Sequence, residues 1–213
     1  MSVPPITCRV MQLWKAPDIG RGGKGGRTRE KLLEAALEEF RRVGFEQASI
    51  GQIATRAGTS RASFYFHFPC REAVLLELQW RMEVGVVERT RACRGLRNFL
   101  VDLVDALIAE EASFESQDLM RDMLTVYIRR PAGLDLADQP FPLMMEVGRR
   151  FTEAREKELR AGLEPDQATH LFLTGLFGAL VSWPGPIEPR RGDLLQLASL
   201  FLSEPISPVG NPD

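Results

Sequence analysis

The sequence predicts an all-α protein, with a small three-helix head carrying a helix-turn-helix, a larger helical domain after it, and about nine helices in all. Apolar residues recur at i, i+3, i+4 and i+7 in one segment after another from Arg27 onward. Helix-ending residues, among them Gly44, Gly58, Pro131 and Gly162, separate those segments. No alternating strand pattern and no internal repeat competes with them.

Composition sets the outer bounds. The chain has 213 residues, 44% of them apolar and 26% charged, which suits a folded globular protein and excludes wholesale disorder. Cys8, Cys70 and Cys93 cannot form a disulfide framework, so a reducing, cytoplasmic setting is expected. Pro4, Pro5 and Arg9 interrupt the N-terminal apolar residues, which is not the pattern of a secretory signal. The longest apolar stretch, Leu171 to Trp183, falls short of the roughly 20 residues a membrane-spanning helix needs, so no membrane partner is expected. The net charge of −2 hides an asymmetry: residues 1–94 hold 16 Lys+Arg against 10 Asp+Glu, and the rest hold 11 against 19. A basic first part can face a polyanion that the acidic second part would repel.

Residues 1–26 lack periodicity, end in a Gly-rich basic run, and read as a flexible basic arm. Gly20-x-Gly22-x-x-Gly25 has dinucleotide-fingerprint spacing, but no strand precedes it, so a solvated linker is the better reading. Leu33, Ala36, Leu37 and Phe40 mark the first helix, which Gly44 stops. Ile50, Ile53, Ala54 and Ala57 mark a short second helix, with Ser49 and Gln52 at capping-box spacing. Ser60 caps a third that runs to about Phe66. Val74, Leu75, Leu78, Met82 and Val86 give the fourth one face between about Cys70 and Thr90. Leu96 to Leu107 carries the fifth, and Met120, Met123, Leu124 and Tyr127 carry the sixth, closed by Pro131. After a loop over 131–140, Met144, Val147, Phe151 and Ala154 mark a seventh that Gly162 ends. Its wet side holds the i,i+4 pairs Glu146–Arg150, Glu153–Lys157 and Glu156–Arg160. Pro165 opens an eighth, Trp183-Pro184-Gly185-Pro186 breaks it, and a ninth covers roughly Gly192 to Leu202.

The second and third helices, joined by a tight turn at Gly58, form a helix-turn-helix. In such a unit the first helix braces the second across the major groove, and the second offers its N-terminal side chains to base edges. Ala54 is small where the helices approach, and Gly58 allows a turn that a side chain resists.

The stretch Arg27–Leu76 resembles the DNA-binding head of the TetR family of transcriptional repressors. The matching residues are Leu32-Leu33-Glu34-Ala35-Ala36, Phe40, Gly44-Phe45, Ser49-Ile50, Ile53-Ala54, Ala57-Gly58-Thr59-Ser60 and Phe64-Tyr65-Phe66-His67-Phe68-Pro69, with Arg71-Glu72 after them. The remainder of the chain matches only in helix count. Three positions depart from the pattern. Cys70 replaces the usual Ser cap, Arg71 replaces Lys, and Gly51 lacks the base-reading side chain of some relatives. The resemblance implies an arm over 1–26, a helix-turn-helix domain over 27–70, a ligand-binding and dimerisation domain over 71–205 and a loose tail over 206–213.

By position, Arg61, Ala62 and Ser63 open the recognition helix and should face bases. Ser49, Thr59, Tyr65, His67 and Arg71 resemble the family's phosphate contacts, with Lys24 and Arg27 of the arm beside them. His67 fits a bonded rim or core residue equally well. Membership implies a homodimer, formed here through helices eight and nine, which are apolar nearly all round. It also implies a pocket for a small-molecule effector. Trp80, Met82, Phe99, Met120, Met123, Met144 and Phe151 supply a lipophilic lining, with Tyr127, His170 and Thr174 to orient a ligand. The expected partners are therefore double-stranded operator DNA, a second copy of the chain and a lipophilic effector, with no cofactor.

The rival is an all-helical enzyme or carrier with a vestigial head. Against it, the chain has no HExxH, no GxSxG and no paired CxxC, and His67-x-x-Cys70 offers too few ligands for zinc. Cys70, near a helix start, suits a small half-buried residue better than a redox thiol.

Overall fold

The structure, a computed structural model, describes residues 24–113, 117–129, 141–155, 157–182 and 187–206. Among the described residues nine α-helices follow in order: α1 Lys24–Val43, α2 Ile50–Arg56, α3 Arg61–His67, α4 Arg71–Thr90, α5 Leu96–Ser113, α6 Gln117–Arg129, α7 Pro142–Ala154, α8 Pro165–Ser182 and α9 Arg191–Ser199. A 3-10 turn, Glu188–Arg190, leads into α9. Among the described residues the only β feature is an isolated bridge between Leu159 and Leu202. Residues 1–23 of the expected arm over 1–26, Phe114, the 131–140 loop, Glu156, the Trp183–Pro186 break and residues 207–213 of the tail lie outside the described residues, as do the side chains of Lys24 and Tyr127.

The chain divides into two compact units, residues 1–81 with 118–139 and residues 82–117 with 140–213. The first division falls inside α4 rather than at its start. Residues 72–79 are buried on every face, so those two turns form the centre of the head unit. Around that centre pack Leu32, Leu33, Ala36 and Phe40 of α1, Ile53 and Ala54 of α2, and Phe64 of α3, each less than one-twentieth exposed. α1 begins three residues before Arg27, through Gly25 and Gly26. It ends where Gly44, at φ +79°, turns the chain and donates its N–H to the Phe40 carbonyl at 2.8 Å. Leu119, Met120, Met123 and Leu124 of α6 are buried in the same unit.

In the second unit α7 packs on α8, α8 on α9, and α5 on α7 and α9. Phe151, Phe172 and Phe201 form its aromatic centre, with ring centroids 5.5–6.0 Å apart. Buried Glu83 accepts the Leu143 N–H at 3.0 Å and so closes the first turn of α7 just behind Pro142.

Three expectations for α7 change. The helix stops at Ala154, well before Gly162, because the N–H groups of Lys157, Glu158 and Leu159 all turn back to the Ala154 carbonyl at 3.0 Å. Arg150 does pair with Glu146, at 2.7 Å, but it is buried rather than wet. It donates to the carbonyls of Thr90, Arg91 and Cys93 and lies 4.8 Å over the Phe99 ring. A side chain of α7 thus bonds carbonyls at and just past the end of α4. Glu153 pairs with Arg149, not with Lys157.

Candidate nucleic-acid interface

The second and third helices meet as a helix-turn-helix. Gly58 stands at φ +66°, and a Cβ built on it would touch nothing within 4 Å. The glycine therefore serves the left-handed backbone, not a close approach. The Thr59 N–H returns to the Ala54 carbonyl at 2.9 Å and locks the turn. Ser60, in extended backbone, accepts the Ser63 N–H on its Oγ at 3.1 Å. This is the expected cap of α3. Ser49 occupies the matching position of α2 but makes no side-chain cap bond, so the expected capping box does not form. Its hydroxyl is left at an exposed position.

Phe64 and Phe68, both fully buried with ring centroids 5.7 Å apart, anchor α3. The opposite side faces solvent. Arg61 and Ala62 are exposed, Ser63 and Thr59 are partly covered, Tyr65 is 48% exposed and Phe66 85%. Arg61 Cδ lies 4.0 Å from where a Cβ on Gly51 would stand, so the missing side chain gives this arginine room. Arg27 is exposed in the first turns of α1. Phe66 belonged to the motif but not to the expected contacts. Its spacing from Ala62, opposite Phe64, is the signal that marks it.

Arg71, an expected phosphate contact, bonds within the head. One of its nitrogens, Nη1, donates to the carbonyls of Phe45, Glu46 and Ala48 at 2.9, 2.9 and 3.1 Å. The guanidinium lies 5.0 Å over the Phe45 ring, and its side chain is only 24% exposed. It pins the α1–α2 turn because three carbonyls converge there on one cation. His67 sits half-buried at the end of α3. Burial, and then the charge of Arg29, pushes its imidazole below the ordinary histidine range.

Behind the exposed face lies a charge network that spacing did not reveal. Arg29 of α1 reaches Glu77 of α4, Glu77 reaches Arg81, and Arg81 forms a two-pronged bond with Glu30. Glu77 and Arg81 are an i,i+4 pair on α4, but Arg29–Glu77 and Glu30–Arg81 join residues about fifty apart, which no helix-spacing rule links. The visible signal was a glutamate within the buried turns of α4.

The expected ligand residues divide between the units. Trp80, Met120, Met123 and Tyr127 belong to the first unit, and Met82, Phe99, Met144, Phe151, His170 and Thr174 to the second. Met82, Phe99 and Phe151 are buried and Met144 is partly covered. His170 and Thr174 are exposed on α8, and His170 Nδ1 bonds the Asp166 carbonyl one turn back. Both therefore point away from the interior of their unit.

A family model described as bacterial regulatory proteins of the tetR family matches residues 32–78. The uncharacterised HTH-type transcriptional regulator YdgC of Bacillus subtilis strain 168 is 42% identical over 141 residues, covering 65% of this chain and 69% of that protein. The fold is similar to that of Thermus thermophilus FadR, a TetR-family transcriptional repressor solved with lauroyl-CoA. The TM-score is 0.65 at 23% identity, over 87% of this chain and 99% of that one. It is also similar to that of Salmonella enterica GusR, at TM-score 0.64 and 23% identity over 84% and 95% of the two chains.

Proposed function

Because the chain belongs to the TetR family of bacterial regulatory proteins, ligand-responsive transcriptional regulators that bind DNA, we propose that it is a cytoplasmic repressor. It acts as a homodimer on a near-palindromic operator and is released by a lipophilic small molecule. One observation carries the DNA reading. The exposed face of α3 presents Arg61, Ala62 and Tyr65 on a helix capped by Ser60 and anchored by Phe64. Arg61 and Ala62 read base edges in the major groove, while Ser49, Thr59 and Tyr65, with Lys24 and Arg27 of α1, lie against phosphates.

The dimer contact is assigned to α8 and α9. Leu171, Thr174, Gly178 and Ser182 form an outward stripe on α8, and Leu200 lies exposed just past α9. His170 and Thr174 are reassigned to that contact. The effector reading keeps Met82, Phe99 and Phe151, whose apolar side chains suit an acyl chain or an aromatic body. The FadR of Bacillus subtilis was solved with stearoyl-CoA. Long-chain acyl-CoA is therefore the first effector class to try.

The test is a gel shift on the DNA upstream of the coding region, with and without lauroyl-CoA. Binding that survives excess random duplex supports the regulator. No preference for any upstream segment would overturn it. Operator binding that no lipophilic compound weakens would leave the regulator but remove this effector class.

A further inference from the structure

We propose that Glu77, buried in α4, is a positioning residue for operator recognition, acting through Arg29 to hold the C-terminal end of α3. The inference rests on the DNA-reading role assigned to α3 and deepens it, by naming what fixes the angle at which that helix meets the groove.

α3 has only seven residues, and Phe64 alone is buried within it. Phe68, the residue just past its end, is the other buried ring that anchors it. Two further restraints act at its ends. At the N-terminus Ser60 Oγ holds the Ser63 N–H. At the C-terminus the His67 carbonyl, one of the four that a helix leaves open, accepts from Arg29 Nη1 at 2.5 Å. Arg29 is oriented by both edges of its planar group. Nε and Nη2 meet Glu77 Oε2 at 2.7 and 2.5 Å, and the plane lies 4.4 Å over the Phe68 ring. A guanidinium can bridge two acceptors in this way because its donors form a rigid fork.

Glu77 is the fixed point of the arrangement. It is fully buried, and its second oxygen takes Arg81 Nη2 at 2.7 Å. Arg81 in turn is held by both oxygens of Glu30, each at 2.7 Å. Two carboxylates face two guanidiniums, so the pairs balance in charge. Helix α1 is tied to α4, and the end of α3 is tied to both. Glu77 itself, buried, touches no DNA.

The consequence is selective. Bonds to base edges fail when the helix tilts by a few tenths of an ångström, because hydrogen-bond geometry is steep. Attraction to the phosphate array tolerates such a tilt, because it depends mainly on charge. Loosening the Arg29 contact should therefore lower operator affinity more than random-duplex affinity.

The experiment uses the full chain and a duplex enriched by the wild-type protein from a randomised pool. Affinities for that duplex and for a scrambled one are measured over a salt series for wild type, Glu77→Gln, Arg29→Lys and the double variant. Lysine keeps the charge beside Glu77 but lacks the second donor edge that reaches His67. Operator affinity is expected to fall about tenfold in each variant, the size of one degraded base contact, with scrambled-duplex affinity held within about twofold and the salt slope unchanged. The double variant should be no worse than the weaker single one, because both act through one contact. Equal losses on both duplexes, a flattened salt slope, additive losses or full operator affinity in Arg29→Lys would each overturn the proposal. Should Glu77→Gln fail to fold, Arg29→Lys decides alone by the same criteria. A wild-type protein that enriches no sequence fails on the regulator reading itself, and the positioning role falls with it.

Discussion

Arg71 shows how far a residue's role depends on what surrounds it. A cation at the start of α4 matches a phosphate-binding pattern, yet three carbonyls of the preceding turn converge on its Nη1. Arg71→Ala leaves those acceptors without their charged donor and should cost about 1–3 kcal/mol of head stability. Thermal melting should fall, while the log-affinity against log-salt slope for DNA stays as in wild type. A slope flatter by about 0.9 with unchanged melting would restore the phosphate role. Arg61 is the opposite case, exposed beside Gly51 with room to extend. Arg61→Ala should cost roughly 1–3 kcal/mol per half-site and relax preference mainly at one base position. A profile across single-base operator variants checks this, and equal losses at every position would make Arg61 a backbone contact. Cys93 carries a chemical prediction. Burial, and then the Asp102 carboxylate that its thiol meets at 2.7 Å, raises it from 9.0 to about 11. A thiol raised in the folded state favours folding below its unfolded value. That contribution is fully present below about pH 9 and disappears as pH climbs through about 11. Alkylation by iodoacetamide near about pH 8.5 should therefore be slow at Cys93. Asp102→Asn should speed it, as peptide mass spectrometry would read, and an unchanged rate would deny the carboxylate its part.

At the scale of elements, the two helices of the helix-turn-helix begin alike in sequence and differently in structure. Ser60 bonds the open Ser63 N–H, whereas Ser49 makes no cap bond. Ser60→Ala should cost about 1 kcal/mol, as loss of a cap does. Ser49→Ala should leave melting unchanged and weaken DNA binding on every sequence, if its free hydroxyl meets phosphate. Equal melting losses in the two variants would show that Ser49 caps α2 in solution. The helices themselves were legible because apolar spacing reports directly on a buried face. Gly44 and Gly58 marked their ends because only a left-handed residue serves there. The end of α7 was not legible, since three N–H groups converge on the Ala154 carbonyl without a glycine or proline to announce it. Phe64, Arg61 and Tyr65 were readable from a motif that places them within one short helix. The Arg29–Glu77–Arg81–Glu30 network was not, because only folding brings α1 and α4 together. Nor could apolar spacing tell that His170 and Thr174 lie on the outer side of a helix with so little polar surface.

At the scale of the whole molecule, the proposed operator recognition calls for two copies, because one seven-residue recognition helix reads too few bases to select a site. A two-fold contact repeats each substitution on itself, so one well-placed charge acts twice. Leu171 is 52% exposed in the single chain and Gly178 has open space where a Cβ would stand. Leu171→Glu or Gly178→Arg should therefore change the stability of the single chain by no more than roughly 0.5 kcal/mol, as exposed positions usually do. Across a two-fold axis the same changes bring like charges into an interface and should split the dimer. Met145, 58% exposed on α7, serves as the control. Met145→Glu adds the same charge at an exposed position of α7, outside α8 and α9, and should leave the assembly intact. Sedimentation at micromolar concentration reads the outcome. Monomeric Leu171→Glu and Gly178→Arg with a dimeric Met145→Glu place the contact on α8. Operator affinity should then collapse in the first two, because the second head no longer binds at the high effective concentration that linkage gives it. Dimers in all three proteins would move the contact off the outward stripe of α8.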